Sequence, residues 1–428
     1  MEALLHYVWQ HKLYDPLLLF TSDQQPLTVL DPGIRNTDAG PDFFNAKIKI
    51  GDQLWAGNVE IHRIPSDWMK HKHDLDDAYD SVILHVVEIP GEPIRRKNGQ
   101  VIPQIVLRVP EPVRKNYEYL FSKEYFPACA DRISEVPGLY LTDWLDALTF
   151  QRLEQKTEAL YNLLDRYRGD WNEVFYITLS RNFGFGINND AFERLAKSLP
   201  VKYVLKHKDS IVQTEALFLG QAGLLNEEEC EDAYYLALQR EYRFLQKKYN
   251  LRSPDSTSFK KLRIRPANFP HIKLVQLAGL IRNQEYIFSK ILESESTDEL
   301  RALFIMGISE YWKTRYSFGK TSSRSNKIPG KASLEIILIN TVVPVLFAYG
   351  KKKNETGYIT KALDLLESLN PEKNRIVTLF SRTGIQARHA GDTQALIQLN
   401  REFCEKKKCI FCRIGYKLLS SEESPKKQ

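Results

Sequence analysis

Disulfide frameworks, membrane spans and secretion signals have little support in this sequence. Five cysteines among 428 residues, an odd number, argue for a reducing compartment rather than a disulfide scaffold. The most apolar later run, residues 334–349, contains Asn340 and Pro344 and falls short of the ~20 residues that a membrane helix needs. The N-terminal segment lacks the basic start, the apolar run and the cleavage site of a signal peptide. We therefore expect a cytoplasmic protein and no membrane partner.

Common nucleotide and nucleophile motifs are also missing. Gly319-Lys320-Thr321 imitates the end of a P-loop, but Thr314 occupies the position of its first glycine. The sequence has no Gly-x-Ser-x-Gly nucleophile elbow. Its composition is that of a globular chain, with 43% hydrophobic and 27% charged residues. The net charge of +6 permits a polyanionic partner without requiring one.

Hydrophobic periodicity divides the chain into two parts. Residues 1–110 contain one short amphipathic segment, followed by the strand-like runs AKIKI, QLWAGNVEIHR, SVILHVVEI and VIPQIVLRV. The nearly continuous apolar run SVILHVVEI indicates a central strand that is buried on both faces. From about Thr142 the pattern becomes helical. We predict an α/β domain over residues 1–135, a larger and mainly α-helical domain over 136–420, and a flexible tail over 421–428.

The segment GPDFFNAKIKIGDQLWAGNVEIH, residues 40–62, carries the first candidate chemistry. Glu60 and His62 lie two residues apart in a strand, so their side chains project from the same face. If the two runs pair as a hairpin, Asp42 at the start of the first strand lies beside the end of the second. Two carboxylates, the carbonyl of Ile61 and waters would make an oxygen-rich site of the kind that Mg²⁺ or Mn²⁺ prefers.

Histidines are concentrated in the same region of the chain. Six of the nine lie within the first 85 residues, namely His6, His11, His62, His71, His73 and His85. The His71-Lys72-His73-Asp74 run and the strand residue His85 are candidate ligands for Zn²⁺ or Mn²⁺. The alternative is that His71 and His73 are solvated loop residues and that His85 is a hydrogen-bonded core residue.

Pro41-Asp42, followed by Glu60-Ile61-His62, resembles the PD-(D/E)xK motif of the restriction-endonuclease-like nucleases. The resemblance implies a core of one helix followed by a mixed sheet with flanking helices. It also implies metal ligation by Asp42 and Glu60, an acidic partner in the first helix (Glu2 is the match), and a catalytic role for His62. This histidine stands where the family has lysine. Since an unperturbed imidazole is only about a quarter protonated at pH 7, we expect a base or a metal ligand there rather than a charged anchor.

The chain as a whole also resembles a bacterial family of about this length that is catalogued as a domain of unknown function. The segments that carry this resemblance are GPDFFNAKI, GNVEIHRIPSDWMKHKHD, VILHVV, RIRPANFPHIKL and the C-terminal cysteine run. It implies one coherent protein rather than a fusion, and it implies no activity.

The cysteines form a second candidate metal site. Cys404, Cys409 and Cys412 are separated by four and two residues, which is a spacing seen in zinc and iron–sulfur sites. A closed site needs a fourth ligand, for which Cys129, Cys230 and His389 are the candidates. The alternative is that these are three ordinary apolar cysteines near a helix end.

Basic residues interleaved with aromatics mark two later segments. Arg263 and Arg265 lie in one, and Lys313, Arg315 and Lys320 in the other. Lysine and arginine pair with phosphates, and aromatic rings stack on unpaired bases. We therefore expect nucleic acid as a partner of these residues, although such charges also serve as ordinary solvated faces.

These features together predict a metal-dependent nuclease that hydrolyses phosphodiester bonds in DNA or RNA, with Asp42, Glu60 and His62 as catalytic residues. One alternative is a nucleic-acid-binding protein that retains a degenerate nuclease fold without catalysis. The other is a metallohydrolase that uses the histidine cluster on a small phosphoester.

Overall fold

The strand-like runs of the first 110 residues form one mixed sheet in the computed structural model of the chain. The structure describes residues 2–123, 127–226, 230–252, 259–261 and 264–421. The chain forms two compact units. The first unit comprises Met1–Trp144, Arg382–Gly384 and Leu399–Gln428, and the second comprises Leu145–Ser381 and Ile385–Gln398. The prediction of an N-terminal mixed sheet and a mainly helical remainder is confirmed at this level.

The described strands fall into two sheets. The larger sheet has the order β1-β3-β4-β5-β6, with β2 paired to β3, and the smaller one pairs β7 with β8. Strand β3 is antiparallel to both β1 and β4, whereas β4, β5 and β6 run parallel. The strand bounds are β1 Leu27–Asp31, β2 Ile34–Arg35, β3 Phe43–Ile50, β4 Gln53–His62, β5 Val82–Val87, β6 Gln104–Val106, β7 Arg315–Ser317 and β8 Lys320–Thr321.

Helices make up most of the rest of the described chain. Their bounds are α1 Glu2–Gln10, α2 Asp67–Lys70, α3 Glu111–Ser122, α4 Gly138–Arg166, α5 Trp171–Phe183, α6 Asn189–Ser198, α7 Val201–Leu205, α8 Ile211–Gln221, α9 Ala233–Tyr249, α10 Pro270–Asn283, α11 Ile287–Glu293, α12 Thr297–Leu303, α13 Glu310–Lys313, α14 Lys331–Ile337, α15 Val343–Lys353, α16 Thr356–Ser368, α17 Arg375–Arg382, α18 Ala390–Leu399 and α19 Arg413–Leu419.

The core of the first unit lies between α1 and the large sheet. Leu4, Leu5, Val8 and Trp9, which recur at helical spacing, are fully buried in one cluster with the inward residues of the strands. Every residue of β5 is buried, and β5 lies between β4 and β6. The apolar run SVILHVVEI therefore indicated the central position of β5 correctly, because a strand that is covered on both faces is apolar on both.

A β-bulge distorts the start of β3. Phe43 pairs with Val59 and Ala46 pairs with Gly57, so two residues of β3 stand opposite one residue of β4. Asn45 has a left-handed φ of 57°, and its backbone N–H donates to Oδ1 of Asn58. Bulges re-aim the neighbouring side chains. This one follows closely after Asp42, which lies beside the end of β4.

The second unit contains a helical stretch whose length and composition would allow it to cross a membrane. Lys331–Lys353 is 23 residues long and joins α14 to α15 through a π-helical turn at Leu338–Val342. This stretch is longer than the apolar run at residues 334–349, because turns that contain lysine extend the helix at both ends. Since 67% of its most apolar window is buried inside the protein, it has the pattern of a core helix.

A close approach between β4 and β5 makes Gly57 a test of the sheet. A Cβ added at Gly57 would lie 2.4 Å from Cγ2 of Ile83 and 2.8 Å from the backbone oxygen of Ser81. We expect Gly57→Ala to lower the free energy of unfolding by about 1–3 kcal/mol, the usual cost of overpacking. That corresponds to a fall in Tm of about 2–4 °C for each kcal/mol in a unit of this size, measurable by calorimetry.

Gly138→Ala is the matched control for this prediction. Nothing lies within 4 Å of a Cβ built at Gly138, at the start of α4. Its Tm should equal or exceed that of the unsubstituted protein, because alanine favours the helix. An unchanged Tm in Gly57→Ala would contradict the close approach of the two strands.

Candidate metal centre

Asp42 and Glu60 meet at the end of the β3–β4 hairpin. The backbone N–H of Asp42 donates to Oε2 of Glu60 at 3.1 Å, and the backbone N–H of Ile61 donates to Oδ2 of Asp42 at 2.9 Å. The hairpin and its bulge thus bring together the two carboxylates that the sequence singled out. Glu60 is 4% exposed and the side chain of Asp42 is 24% exposed, so Glu60 is withdrawn from solvent whereas Asp42 is half-buried.

Two imidazoles contact the second oxygen of Glu60, and a third imidazole contacts one of them. Oε1 of Glu60 lies 3.4 Å from Nε2 of His62 and 3.2 Å from Nε2 of His73. Nδ1 of His71 lies 3.3 Å from Nε2 of His62. Among the described residues, the ligand atoms of His62, His71 and His73 form a group within 4.8 Å of one another.

These separations have the size of a metal coordination shell. Ligand nitrogens and oxygens of Zn²⁺ lie about 2.0–2.1 Å from the ion, so the corners of a tetrahedral shell are about 3.3–3.4 Å apart. Three of the separations, Glu60 to His62, Glu60 to His73 and His62 to His71, are 3.2–3.4 Å. The residues present therefore fit a transition-metal ion.

A short helix and a strained turn deliver His71 and His73. Helix α2 ends at Lys70, His71 follows as its C-cap, and Lys72 takes a left-handed φ of 63°. The backbone N–H of His73 then donates to the carbonyl of Trp68 at 3.1 Å. A lysine rarely adopts this backbone conformation, and such residues cluster at functional sites. The turn directs both imidazoles toward His62.

Aromatic side chains hold the imidazoles in place. The ring of Tyr79 stacks on His73 with centroids 3.8 Å apart. The buried indole of Trp68 contacts His62, His73 and His85 edge-on, with centroids 6.5, 5.4 and 5.8 Å away. These contacts limit the rotation of three rings, which pre-organises the centre.

A chain of hydrogen bonds sets the proton positions on His62. The side-chain amide of Gln104 donates to the carbonyl of Gly91 at 3.2 Å, so its Oε1 faces Nδ1 of His85 at 3.1 Å as an acceptor. His85 must then carry its proton on Nδ1, and its Nε2 accepts a hydrogen bond from Nδ1 of His62 at 2.9 Å. The Nε2 lone pair of His62 is left facing Glu60 and His71. Both nitrogens of His85, a predicted ligand, are therefore engaged elsewhere.

Two residues of α1 complete the surroundings. Nε2 of His6 lies 3.1 Å from Oδ2 of Asp42. Glu2, one turn earlier, is close enough to Glu60 to raise its pKa electrostatically. Sequence reasoning proposed Glu2 but did not select His6 or Gln104 as site residues. Glu2 and His6 are four residues apart, which places both on one face of α1. This spacing could have indicated His6 as a site residue together with Glu2.

Burial and crowding control the ionisation of these groups. Burial, followed by the charge of Asp42, raises the pKa of Glu60 well above the usual range of a carboxyl group. Burial, followed by the neighbouring imidazoles, lowers the pKa of His62, and burial lowers that of His85 to about 4. Neutral imidazole is the form that binds metal, and a bound cation would favour the carboxylate of Glu60.

An open groove borders the segment that carries His71 and His73. Its volume is about 850 Å³. Apolar, acidic and basic residues line it, among them Met69, Asp74, Leu75, Arg95, Arg96 and Lys97. The three consecutive basic residues give one side of the groove a positive charge.

The remaining predicted site residues lie away from this centre in the chain. Cys404, Cys409 and Cys412 belong to the first unit, whereas Cys230 and His389 belong to the second. Among the described cysteines, no three sulfurs lie within 4.8 Å of one another, unlike the ligand atoms of His62, His71 and His73.

The predicted nucleic-acid-binding residues fall in the second unit. Arg263 lies outside the described residues, and Arg265 is exposed. Lys313 pairs with Glu310, Arg315 lies 4.4 Å from the ring centroid of Tyr311, and Lys320 is exposed on β8.

The hydrogen-bond chain predicts a change in the His62 tautomer on substitution of Gln104. Gln104→Met keeps the volume but removes the acceptor for His85. We expect ¹⁵N NMR of the imidazoles, in chelator-treated protein, to show His62 changing from an Nδ1–H form to a mixture of tautomers. Gln53→Met, at the exposed end of the hairpin, should leave the spectrum of His62 unchanged. An Nε2–H form of His62 in the unsubstituted protein would contradict the assignment.

Comparison with known proteins identifies a family for this chain. A search of curated proteins and a search of solved structures each found no match. Residues 2–375 match the family described as "Protein of unknown function (DUF2851)", and this range includes the whole candidate metal centre. The protein therefore belongs to the DUF2851 family.

Proposed function

We propose that this protein is a metal-dependent phosphodiesterase that cleaves nucleic acid, with one cation held by Glu60, His62, His71 and His73. The observation that carries the proposal is that Oε1 of Glu60 lies 3.2–3.4 Å from ring nitrogens of His73 and His62, and that a ring nitrogen of His71 lies 3.3 Å from that of His62. Glu60 and His62 are buried, His73 is half-buried and His71 is exposed, and this convergence of complementary polar groups favours a metal centre over a solvated polar face.

The ligand set favours a particular kind of cation. Three imidazoles and one carboxylate suit a transition-metal ion such as Zn²⁺ better than Mg²⁺, which prefers oxygen ligands. The sequence expectation of Mg²⁺ or Mn²⁺ rested on Asp42, Glu60 and waters alone, and the convergence of three histidines beside Glu60 changes this preference. Zn²⁺ accepts a fifth ligand, so four protein ligands leave room for an oxygen of substrate or water.

His62 acts in this proposal as a metal ligand. Its Nδ1–H is donated to His85, and its Nε2 lone pair points into the group of ligand atoms. A residue held in this way serves poorly as a general base, because its basic nitrogen is occupied. His85 accepts the hydrogen bond from the other ring nitrogen of His62, and Gln104 fixes the orientation of His85. Metal-binding histidines generally have such hydrogen-bond partners.

The pair His6–Asp42 supplies the candidate acid–base function. Nε2 of His6 lies 3.1 Å from Oδ2 of Asp42, so a proton on this nitrogen faces the carboxylate and Nδ1 of His6 is then the basic nitrogen. Oδ2 of Asp42 also accepts the N–H of Ile61, so the carboxylate is fixed in its orientation. A divalent cation supplies the complementary chemistry, since it acidifies water and stabilises the negative charge that builds on a phosphodiester.

The groove beside the centre supports a polyanionic substrate. Arg95, Arg96 and Lys97 line it in succession, and phosphate groups pair with such side chains. Lys97 pairs with Asp77 at 2.7 Å, but both side chains are exposed, so a phosphate can replace the carboxylate at small cost. Recognition by Arg265, Lys313, Arg315 and Lys320 remains a prediction of the sequence.

Metal content is the first test of the proposal. We expect the purified protein to retain about one zinc ion per chain and His62→Ala and His73→Ala to lose it, because each removes a ligand nitrogen. Mass spectrometry of the protein after desalting measures the zinc.

His11→Ala is the control for metal content. His11 lies in the same unit, is exposed, and contacts the rings of Tyr7 and Tyr416. This variant should keep its zinc. Full zinc retention in both His62→Ala and His73→Ala would rule out the assigned ligands.

Cleavage of nucleic acid is the second test. Labelled single- and double-stranded DNA and RNA are incubated with the zinc- or manganese-loaded protein. We expect Asp42→Asn and Glu60→Gln each to reduce the cleavage rate by roughly 100-fold or more, as for the loss of a positioned charge in other active sites.

Asp52→Asn is the matched control for this assay. Asp52 is fully exposed at the turn between β3 and β4, so its variant should cleave at the unsubstituted rate. Binding without cleavage by the unsubstituted protein would favour a non-catalytic platform. Hydrolysis of p-nitrophenyl phosphate but of no nucleic acid would favour a metallohydrolase of small phosphoesters.

A further inference from the structure

Four of the five cysteines belong to the first unit. Cys129 comes from its N-terminal segment, and Cys404, Cys409 and Cys412 come from the C-terminal segment Leu399–Gln428. More than 270 residues of chain separate Cys129 from the other three, by subtraction of their numbers. Cysteine is rare in this sequence, so its concentration in one unit needs a physical reason.

Two short helical segments bring these cysteines together. Cys129 directly precedes a 3₁₀ helix, Ala130–Glu135, and Cys412 directly precedes α19. The 3₁₀ helix packs against α19. The backbone N–H groups of Ile414 and Gly415 donate to the sulfur of Cys412, which fixes the position of this thiol.

The loop that carries Cys409 folds tightly onto α19. A Cβ added at Gly415 would lie 2.0 Å from the carbonyl oxygen of Cys409. The backbone N–H of Cys412 donates to the same carbonyl at 3.2 Å. Cys404 ends a π-helical turn, and Lys407, in a left-handed conformation, leads the chain from it toward Cys409.

All six pairs among the four thiols lie within electrostatic range. The pKa of Cys404 is raised first by burial and then by the three other thiols. The pKa of Cys129 is raised by burial and then by Cys412 and Cys409, and that of Cys409 is raised to about 11 by burial and then by Cys412. Cys412 is buried, and Cys129, Cys404 and Cys409 are half-buried, so the four thiols form one group that is largely withdrawn from solvent.

The spacing of the thiols distinguishes between kinds of metal group. Sulfurs that share one Zn²⁺ at 2.3 Å stand about 3.8 Å apart. Among the described cysteines no three sulfurs lie within 4.8 Å of one another. Thiolates around an iron–sulfur cluster are distributed over two or four iron atoms, so no three of them stand as close together as those around a single ion.

We propose that Cys129, Cys404, Cys409 and Cys412 hold an iron–sulfur cluster that ties the two segments of the first unit together. The separations of four and two residues between the last three cysteines match the Cys-x4-Cys-x2-Cys spacing of ferredoxin-type sites, whose fourth cysteine lies elsewhere in the chain. The cluster is independent of the histidine centre, and it identifies Cys129 as the fourth ligand instead of Cys230 or His389.

Anaerobic purification of the full chain tests the proposal. We expect iron and acid-labile sulfide in equal amounts, and a broad visible absorption that bleaches on reduction with dithionite. Cys129→Ser and Cys404→Ser should lose both the sulfide and the visible band. His62→Ala should keep them, which separates this result from the outcome for the histidine centre.

Cys230→Ser is the matched control. It removes the one cysteine of the second unit, so its iron, sulfide and absorption should equal those of the unsubstituted protein. Zinc without sulfide, or no metal at all, in the anaerobically purified unsubstituted protein would overturn the proposal even if a variant failed to fold. Retention of the cluster by Cys129→Ser would overturn the assignment of the fourth ligand.

Discussion

The hydrogen bond between Gln104 and His85 is the interaction on which the candidate metal centre depends. Gln104 on β6 is the register partner of His85 on β5, so parallel pairing of these strands places the two side chains together. The carbonyl of Gly91 orients the amide of Gln104, so that Oε1 of Gln104 accepts from Nδ1 of His85. This fixes the tautomer of His85, and His85 in turn fixes the tautomer of His62. Without it, the lone pair of His62 would have no fixed direction.

Burial explains why this arrangement needs so many partners. Glu60, His62, His85 and Gln104 are each less than 5% exposed, and an unpaired polar group at such depth is costly. Each therefore contacts another polar group, and the carboxylate and imidazoles crowd one another. A cation at this position, as we propose, would compensate the negative charge of Glu60 and occupy the free imidazole lone pairs. The same buried side chains would then both satisfy one another's hydrogen-bonding groups and hold the cation.

Local patterns predicted a substantial part of the fold and of the candidate site. Alternation in AKIKI and QLWAGNVEIHR indicated β3 and β4, and the hairpin between them brings Asp42 to Glu60 because neighbouring segments pair readily. Strands β1 and β2 were not predicted, since Leu27–Asp31 and Ile34–Arg35 are short edge pairings with mixed burial. His6 and Gln104 were also missed. Their roles arise from contacts with residues 36 and 19 positions away, and no local spacing records such contacts.

The sequence by itself determined strands β3 to β6, the helical remainder, and the shared face of Glu60 and His62, because periodicity and strand geometry act over a few residues. Only the tertiary structure decided that His71 and His73 reach His62 through a left-handed turn at Lys72. It also decided that His85 supports His62 through a hydrogen bond and that Cys129 lies with the three C-terminal cysteines. These outcomes depend on how distant segments pack, and packing is set by the burial of whole faces rather than by the order of neighbouring residues.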